Sequence, residues 1–163
     1  MKYKVLITGK NNSIIDDFFS QMSDDFEAVT TSNRYDDIIR HLTFYKPDVF
    51  VYCISGESRD NINQLNNARF RMMETRIPIV LVGAKEECDE VERIAVNLSS
   101  LTLYRPISIP TITARIAKLL EGWPRGGRQP GEPESVLGGI LASKTYPYPR
   151  RRRLRVINPR RRR

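Results

Sequence analysis

The sequence predicts an α/β domain, a doubly wound (βα)5 parallel sheet, followed by a disordered basic tail. Three observations predict it. Short, nearly continuous apolar runs recur through the first 121 residues, the mark of strands covered on both faces. Stretches with a 3.6-residue apolar period separate them. Residue usage then changes abruptly near Gly122. Strands and helices that alternate in this way join through right-handed crossovers, which place helices on both faces of one sheet.

Four runs are short and rich in β-branched or aromatic residues: 4–8 (KVLIT), 47–54 (PDVFVYCI), 77–82 (IPIVLV) and 101–104 (LTLY). Residues 26–30 make a weaker strand, second in chain order. Ile14, Ile15, Phe18, Phe19 and Met22 form the stripe of a first helix, with Ser13 and Asp16 as a capping box. Tyr35, Ile38, Ile39 and Leu42 mark a second helix with Asn33 as its cap, and His41 late in it as a solvated or half-buried side chain. Ile62, Leu65, Arg69, Met72 and Met73 mark a third that Asp60 starts. Val91, Ile94, Ala95 and Leu98 give the fourth, with Cys88 as a structural residue in its first turn, and Ile112, Ile116, Leu119 and Leu120 the fifth.

A length of 163 residues suits one domain with an appendage. The net charge of +8 and pI near 9.8 suggest a nucleic-acid partner only when the chain is read whole. After Glu121 there are 12 Lys and Arg against 2 Asp and Glu, and before Gly122 there are 15 against 17. The basic excess therefore belongs to residues 122–163, which also hold six of nine glycines, six of ten prolines and the arginine runs 150–153 and 160–163. Such a segment buries too little apolar surface to offset its ordering entropy, so disorder is expected, with 135–142 (SVLGGILA) as its one apolar stretch. Its Arg, Gly and Pro usage contrasts with a body rich in Asn, Ile, Lys and Asp. A different coding frame or a cloning-derived extension produces such a break, and a native basic tail remains the alternative. Only a native tail makes nucleic acid a partner, through phosphate neutralisation with Tyr146 and Tyr148 interleaved.

No apolar run approaches the ~18–20 residues of a membrane span, and MKYKVLITGK lacks the apolar core of a signal peptide. No membrane partner is expected. Two cysteines, Cys53 and Cys88, form neither a disulfide framework nor a metal pattern, which points to a reducing, cytoplasmic compartment. A single histidine removes most His-based catalysis and most zinc sites.

In a doubly wound sheet, chemistry sits at the carboxyl ends of the strands. Those tips are Thr8-Gly9, Cys53, Gly83 and Arg105-Pro106. Read in order, KVLITGKN, KPDVFVYCI, IPIVLVGAKEE and LYRPISIPTITARIAKLL resemble the receiver (CheY-like) domains of two-component response regulators, over about residues 1–121. The resemblance implies a flavodoxin-like sheet of order 2-1-3-4-5. It also implies where the phosphorelay machinery would stand. The acidic pair would fall on Thr8 and Gly9, the phosphoacceptor on Cys53, the switch hydroxyl on Gly83, the switch aromatic on Thr102 and the lysine on Arg105. None of Thr8, Gly9 and Cys53 supplies the carboxylate that Mg²⁺ wants, and without a cation the charge of phosphoryl transfer has no clamp. A pseudo-receiver is expected, with no metal, no cofactor and no enzymatic activity. The resemblance further implies a protein partner or output domain, a homodimer face built from helix 4, strand 5 and helix 5 (residues 91–120), and a place at the front of a longer regulator.

Rival readings centre on individual residues. Cys53, Gly56 and Arg59 are spaced as in the loop of cysteine phosphatases, where a thiolate attacks phosphorus and an arginine grips the oxyanions. Glu57 inside the loop, and Tyr52 where that family prefers His, argue against it. Packing gives Cys53 a simpler role as a small buried residue. Arg59 and Arg105 are the candidate anion-binding residues. Asp16 and Asp17 offer a displaced acidic pair, but acids in a first helical turn serve the helix dipole.

Overall fold

The computed structural model describes residues 2–124; the basic runs, residues 135–142, Tyr146, Tyr148 and the disorder expected of the tail lie outside the described residues. Five strands and five helices alternate: β1 (Tyr3–Gly9), α1 (Asn12–Gln21), β2 (Phe26–Thr30), α2 (Tyr35–Phe44), β3 (Val49–Cys53), α3 (Arg59–Glu74), β4 (Ile79–Gly83), α4 (Lys85–Ile94), β5 (Leu101–Tyr104) and α5 (Ile109–Glu121). All strand pairs are parallel, in the order β2-β1-β3-β4-β5. This is the expected flavodoxin-like sheet.

The period-2 alternation of strand side chains sorts the core into two layers. Leu6, Phe50, Tyr52 and Leu81 pack with Ile38, Leu42, Ile62, Leu65, Ala68, Met72 and Val91 from α2, α3 and α4. Val5, Ile7, Val49, Val51, Cys53, Val80 and Val82 pack with Ile15, Phe18, Ile112, Ile116 and Leu120 from α1 and α5. Because both faces are covered, all five residues of β3 and of β4 are buried.

The helix starts differ from the sequence expectation. Asn11, not a Ser13–Asp16 box, caps α1, its side chain accepting from the Ile14 amide at 3.2 Å. Asp16 and Asp17 therefore stand in the second turn, where they do not serve the helix end. Asn33 does not cap α2: Arg34 holds that position without a side-chain bond, and the Gln64 side chain of α3 accepts from the Tyr35 amide at 2.9 Å. Ser58, not Asp60, caps α3 by accepting from the Asn61 amide at 3.1 Å. On α3 the buried positions are Ile62, Leu65, Ala68 and Met72, while Met73 is exposed. Leu98 lies past the end of α4 and is buried there.

Two contacts close the end of the sheet opposite the strand tips. Asp48 accepts from the Lys4 amide at 2.8 Å and its own amide donates to the Lys4 carbonyl at 2.7 Å, so the PD pair pins β3 to β1. Trp123, on the tail side of Glu121, donates its indole N–H to the Arg76 carbonyl at 2.6 Å, so the packed unit reaches Trp123.

Candidate functional site

The carboxyl ends of the strands gather the loops β1–α1, β3–α3, β4–α4 and β5–α5, and every tip residue singled out in the sequence stands there or one residue away. The centre is the junction of β1 and β3. Gly9 has φ +130°, and a Cβ at that position would lie 2.2 Å from the Cys53 carbonyl oxygen. The Lys10 and Asn11 amides both donate to that same oxygen, at 3.1 and 3.3 Å. Only glycine fits this approach. Thr8, fully buried, donates its hydroxyl to the Thr31 carbonyl at 2.5 Å and so ties β1 to the β2–α2 loop.

Cys53 points into the layer under α1 and α5 and is fully buried. Burial pushes its thiol up from an ordinary value near 9 to about 12. A neutral buried thiol is no attacking thiolate at neutral pH, so the phosphatase reading lacks its nucleophile. The same shift bears on stability. Below pH 9 the thiol is protonated in both the folded and unfolded chain. Above it the unfolded thiol ionises first, so stability falls as pH rises toward 12. Burial raises Cys88 to about 11 with the same sign, and desolvation also holds buried Tyr52 and half-buried Tyr45 above the usual phenol range. We expect Cys53→Ala to flatten part of the alkaline fall in urea-measured stability; an unchanged slope would assign it to the other three groups.

The β3–α3 loop is occupied by the chain's own acids. Glu57 accepts from the Tyr52 hydroxyl at 2.8 Å and from the Ser55 amide at 3.2 Å. Glu87 of α4 accepts from the Gly56 amide at 3.0 Å, and Lys10 donates to the Gly56 carbonyl at 3.3 Å. In the β4 tip, a Cβ at Gly83 would press on the Ile54 Cβ at 3.0 Å, so a hydroxyl-bearing side chain there needs Ile54 to move.

Arg59 opens α3 with its side chain exposed, while exposed Arg105 follows β5, two strands away. Arg105 shares a surface cleft of about 570 Å³ with Asp17, Ser13 and Ser108, and its amide donates to the Gly83 carbonyl at 2.9 Å. Thr102 points toward α4, where its hydroxyl meets the Ser99 hydroxyl at 2.7 Å and Glu92 at 3.4 Å. Two residues along the same face, exposed Tyr104 lies beneath the Lys85 ammonium at 5.6 Å. Among the described residues no three His, Cys, Asp or Glu side chains converge as metal ligands.

No protein-family model matches the chain, and no curated protein matches it in sequence. Solved structures do match. A response regulator receiver domain protein (CheY-like) from Methanospirillum hungatei aligns with a TM-score of 0.57 at 11% identity, covering 72% of this chain and 93% of its own. The receiver domain of NtrX from Brucella abortus aligns at 0.56 and 17%, covering 72% and 98%. The longer NtrX chain aligns at 0.57 and 16%, covering 74% of this chain and 27% of its own. The phosphorylated cyanobacterial phytochrome response regulator RcpA aligns at 0.52 and 15%, covering 76% and 94%.

The fold is that of a response-regulator receiver domain.

At these identities the likeness carries the fold alone, and the chemistry of this receiver fold rests on its own residues. The sequence located the tips Thr8, Gly9, Cys53, Gly83 and Arg105, whose positions follow from strand ends. It missed the partners that close them. In the sequence Glu57 is only an unfavourable charge for a phosphatase loop, yet it is the carboxylate that the loop amide and Tyr52 hold. Glu87 and Ile54 carried no signal, since one reaches the loop from α4 and the other bears on Gly83 only across the sheet. Asp17 lines the Arg105 cleft, a placement that depends on how α1 lies against the β5–α5 loop.

Proposed function

We propose that this receiver fold is a signalling domain that works through protein–protein contacts and does not accept a phosphoryl group in the manner of phosphorylated receivers. One observation carries the reading: the Gly9–Cys53 junction. At the place where a receiver needs a carboxylate nucleophile beside an acidic pair, this chain has a fully buried neutral thiol on a residue whose backbone lies against Gly9 and leaves that position no room for a side chain. Thr8 is committed to Thr31, Gly83 has no hydroxyl and a side chain there would press on Ile54, and Arg105 replaces a compact ammonium with a broad guanidinium. The Thr102 hydroxyl is held by Ser99 and Glu92 rather than free to report on the tip. We read Arg59 and Arg105 as separate surface cations.

A domain that carries no chemistry of its own acts by being bound. The face of α4, β5 and α5 is the proposed docking surface for a protein partner, an output domain or a second copy. Its α4 edge exposes Glu86, Asp89 and Glu90, with ion pairs Lys85–Asp89 at 2.9 Å and Arg93–Glu90 at 2.5 Å, and β5 adds exposed Tyr104. In NtrX the matching fold is part of a longer chain, which supports an output module as the partner. No described helix is long and apolar enough to cross a membrane.

The test uses the full chain with acetyl phosphate and Mg²⁺, followed by intact-mass spectrometry, and beryllofluoride in a thermal-shift assay. We expect neither a phosphoryl adduct nor a change in melting temperature. An adduct, a beryllofluoride shift, or aryl phosphate turnover that disappears in Cys53→Ser would overturn the reading.

A further inference from the structure

We propose that the β3–α3 loop is an anion nest whose ligand is built into the chain, the Glu57 and Glu87 carboxylates filling it and fastening α4 to the strand tips. Consecutive backbone amides at a turn that includes a positive φ form a concavity that binds anions. Ser55 and Gly56 supply such amides, and Gly56 has φ +60°. No atom lies within 4 Å of where its Cβ would be, so the glycine serves the turn and not a close approach. Each amide meets a different carboxylate, Glu57 at 3.2 Å and Glu87 at 3.0 Å.

The surroundings hold these acids in place. The second oxygen of Glu57 accepts from the Tyr52 hydroxyl at 2.8 Å, and Tyr52 is itself buried and accepts from the Asn33 side chain at 3.4 Å. Glu57 is thus gripped from both sides. Lys10 reaches the same residue from the β1–α1 loop, its ammonium donating to the Gly56 carbonyl at 3.3 Å. Three separate elements therefore converge on Gly56: the β1–α1 loop through Lys10, the β3–α3 loop itself, and α4 through Glu87. Hydrogen bonds to ionised acceptors are about twice as strong as neutral ones. In this arrangement the loop is closed to outside phosphate, and α4 is fixed without any ligand. The inference goes beyond the proposed function and is separable from it, because it concerns what fills the loop and not whether Cys53 can be modified.

Glu57→Ala in the full chain tests it by chemical rescue, with formate replacing chloride at equal ionic strength. We expect the melting temperature to fall by about 5 °C. Amide exchange should quicken about tenfold at Ser55 and stay unchanged at Gly56. Formate should recover most of both losses, and should leave the unsubstituted protein unaffected. Glu87→Ala should quicken exchange at Gly56 and leave Ser55 alone. If Glu57→Ala does not fold, Glu57→Gln retains an acceptor without the charge, and should show intermediate exchange at Ser55 with no response to formate. Unchanged Ser55 exchange in either Glu57 variant, or formate acting on Glu57→Ala no more than on the unsubstituted chain, overturns the proposal.

Discussion

Replacing Gly9 by aspartate is expected to destabilise the domain severely, not to rebuild an acidic pair. A Cβ at this position would stand 2.2 Å from the Cys53 carbonyl oxygen and 2.6 Å from its nitrogen, both backbone atoms of a central strand. No side-chain rotation relieves that overlap, so the backbone at the β1–β3 junction must shift. The φ of +130° adds the strain that any residue with a Cβ meets there, about 1–3 kcal/mol. Such a shift also weakens the bonds from Lys10 and Asn11 to the Cys53 carbonyl. The combined loss should exceed about 4 kcal/mol, a large part of the 5–15 kcal/mol typical of a folded domain. Urea denaturation followed by circular dichroism measures it. Gly9→Ala carries the steric and φ effects without the charge, and should lose nearly as much. An alanine variant within about 1 kcal/mol of the parent would show that the junction yields, and that glycine there is not required by sterics.

Cys53→Asp, the substitution that installs a phosphoacceptor's side chain, is expected to cost about 3–5 kcal/mol at neutral pH, the penalty of a buried charge without a partner. The site is fully buried among Ile7, Val51, Val82 and the apolar sides of α1 and α5. Burial disfavours the ionised carboxyl, so its folded pKa lies above the unfolded one. Stability of the variant is then retained in acid and lost as pH rises through the carboxylate range. Denaturation at pH 4 and pH 7 should show the variant closer to the parent at the lower value. A gap independent of pH would mean that the carboxylate reaches solvent at the strand tips. The variant should still take no phosphoryl group, because Thr8 and Gly9 supply no cation ligand beside it and the loop amides already hold Glu57 and Glu87.

These two substitutions mark how far the sequence could be read. The places of Cys53, Gly83 and Arg105 were legible because each follows an apolar run, and the end of a run is a one-dimensional property. The buried state of Cys53 was legible too, from its position in a strand covered on both faces. What was not legible is the reason Gly9 is a glycine. The residue that forbids a side chain lies 44 positions away on β3, and only the parallel pairing of Gly9 with Cys53 brings them together. Helix starts show the same division. Asn11 and Ser58 cap their own helices and were within reach of local reasoning, which chose neighbouring residues instead. The amide at the start of α2 is satisfied by Gln64 of α3, and no pattern within α2 announces that.

Alternating periods of two and 3.6 residues were enough to determine the five strands, the five helices and the two-sided core, because burial of apolar side chains acts locally and repeats along the chain. Residue identity was enough to show that the strand ends at Thr8, Gly9, Cys53 and Gly83 carry no carboxylate. The tertiary structure alone decided which groups meet at those strand ends: the backbone of Cys53 against Gly9, Ile54 against Gly83, and Glu57 and Glu87 on adjacent amides. Those contacts join segments as much as 44 residues apart, and a hydrogen bond or a steric overlap depends on distance in space, which spacing along the chain does not set.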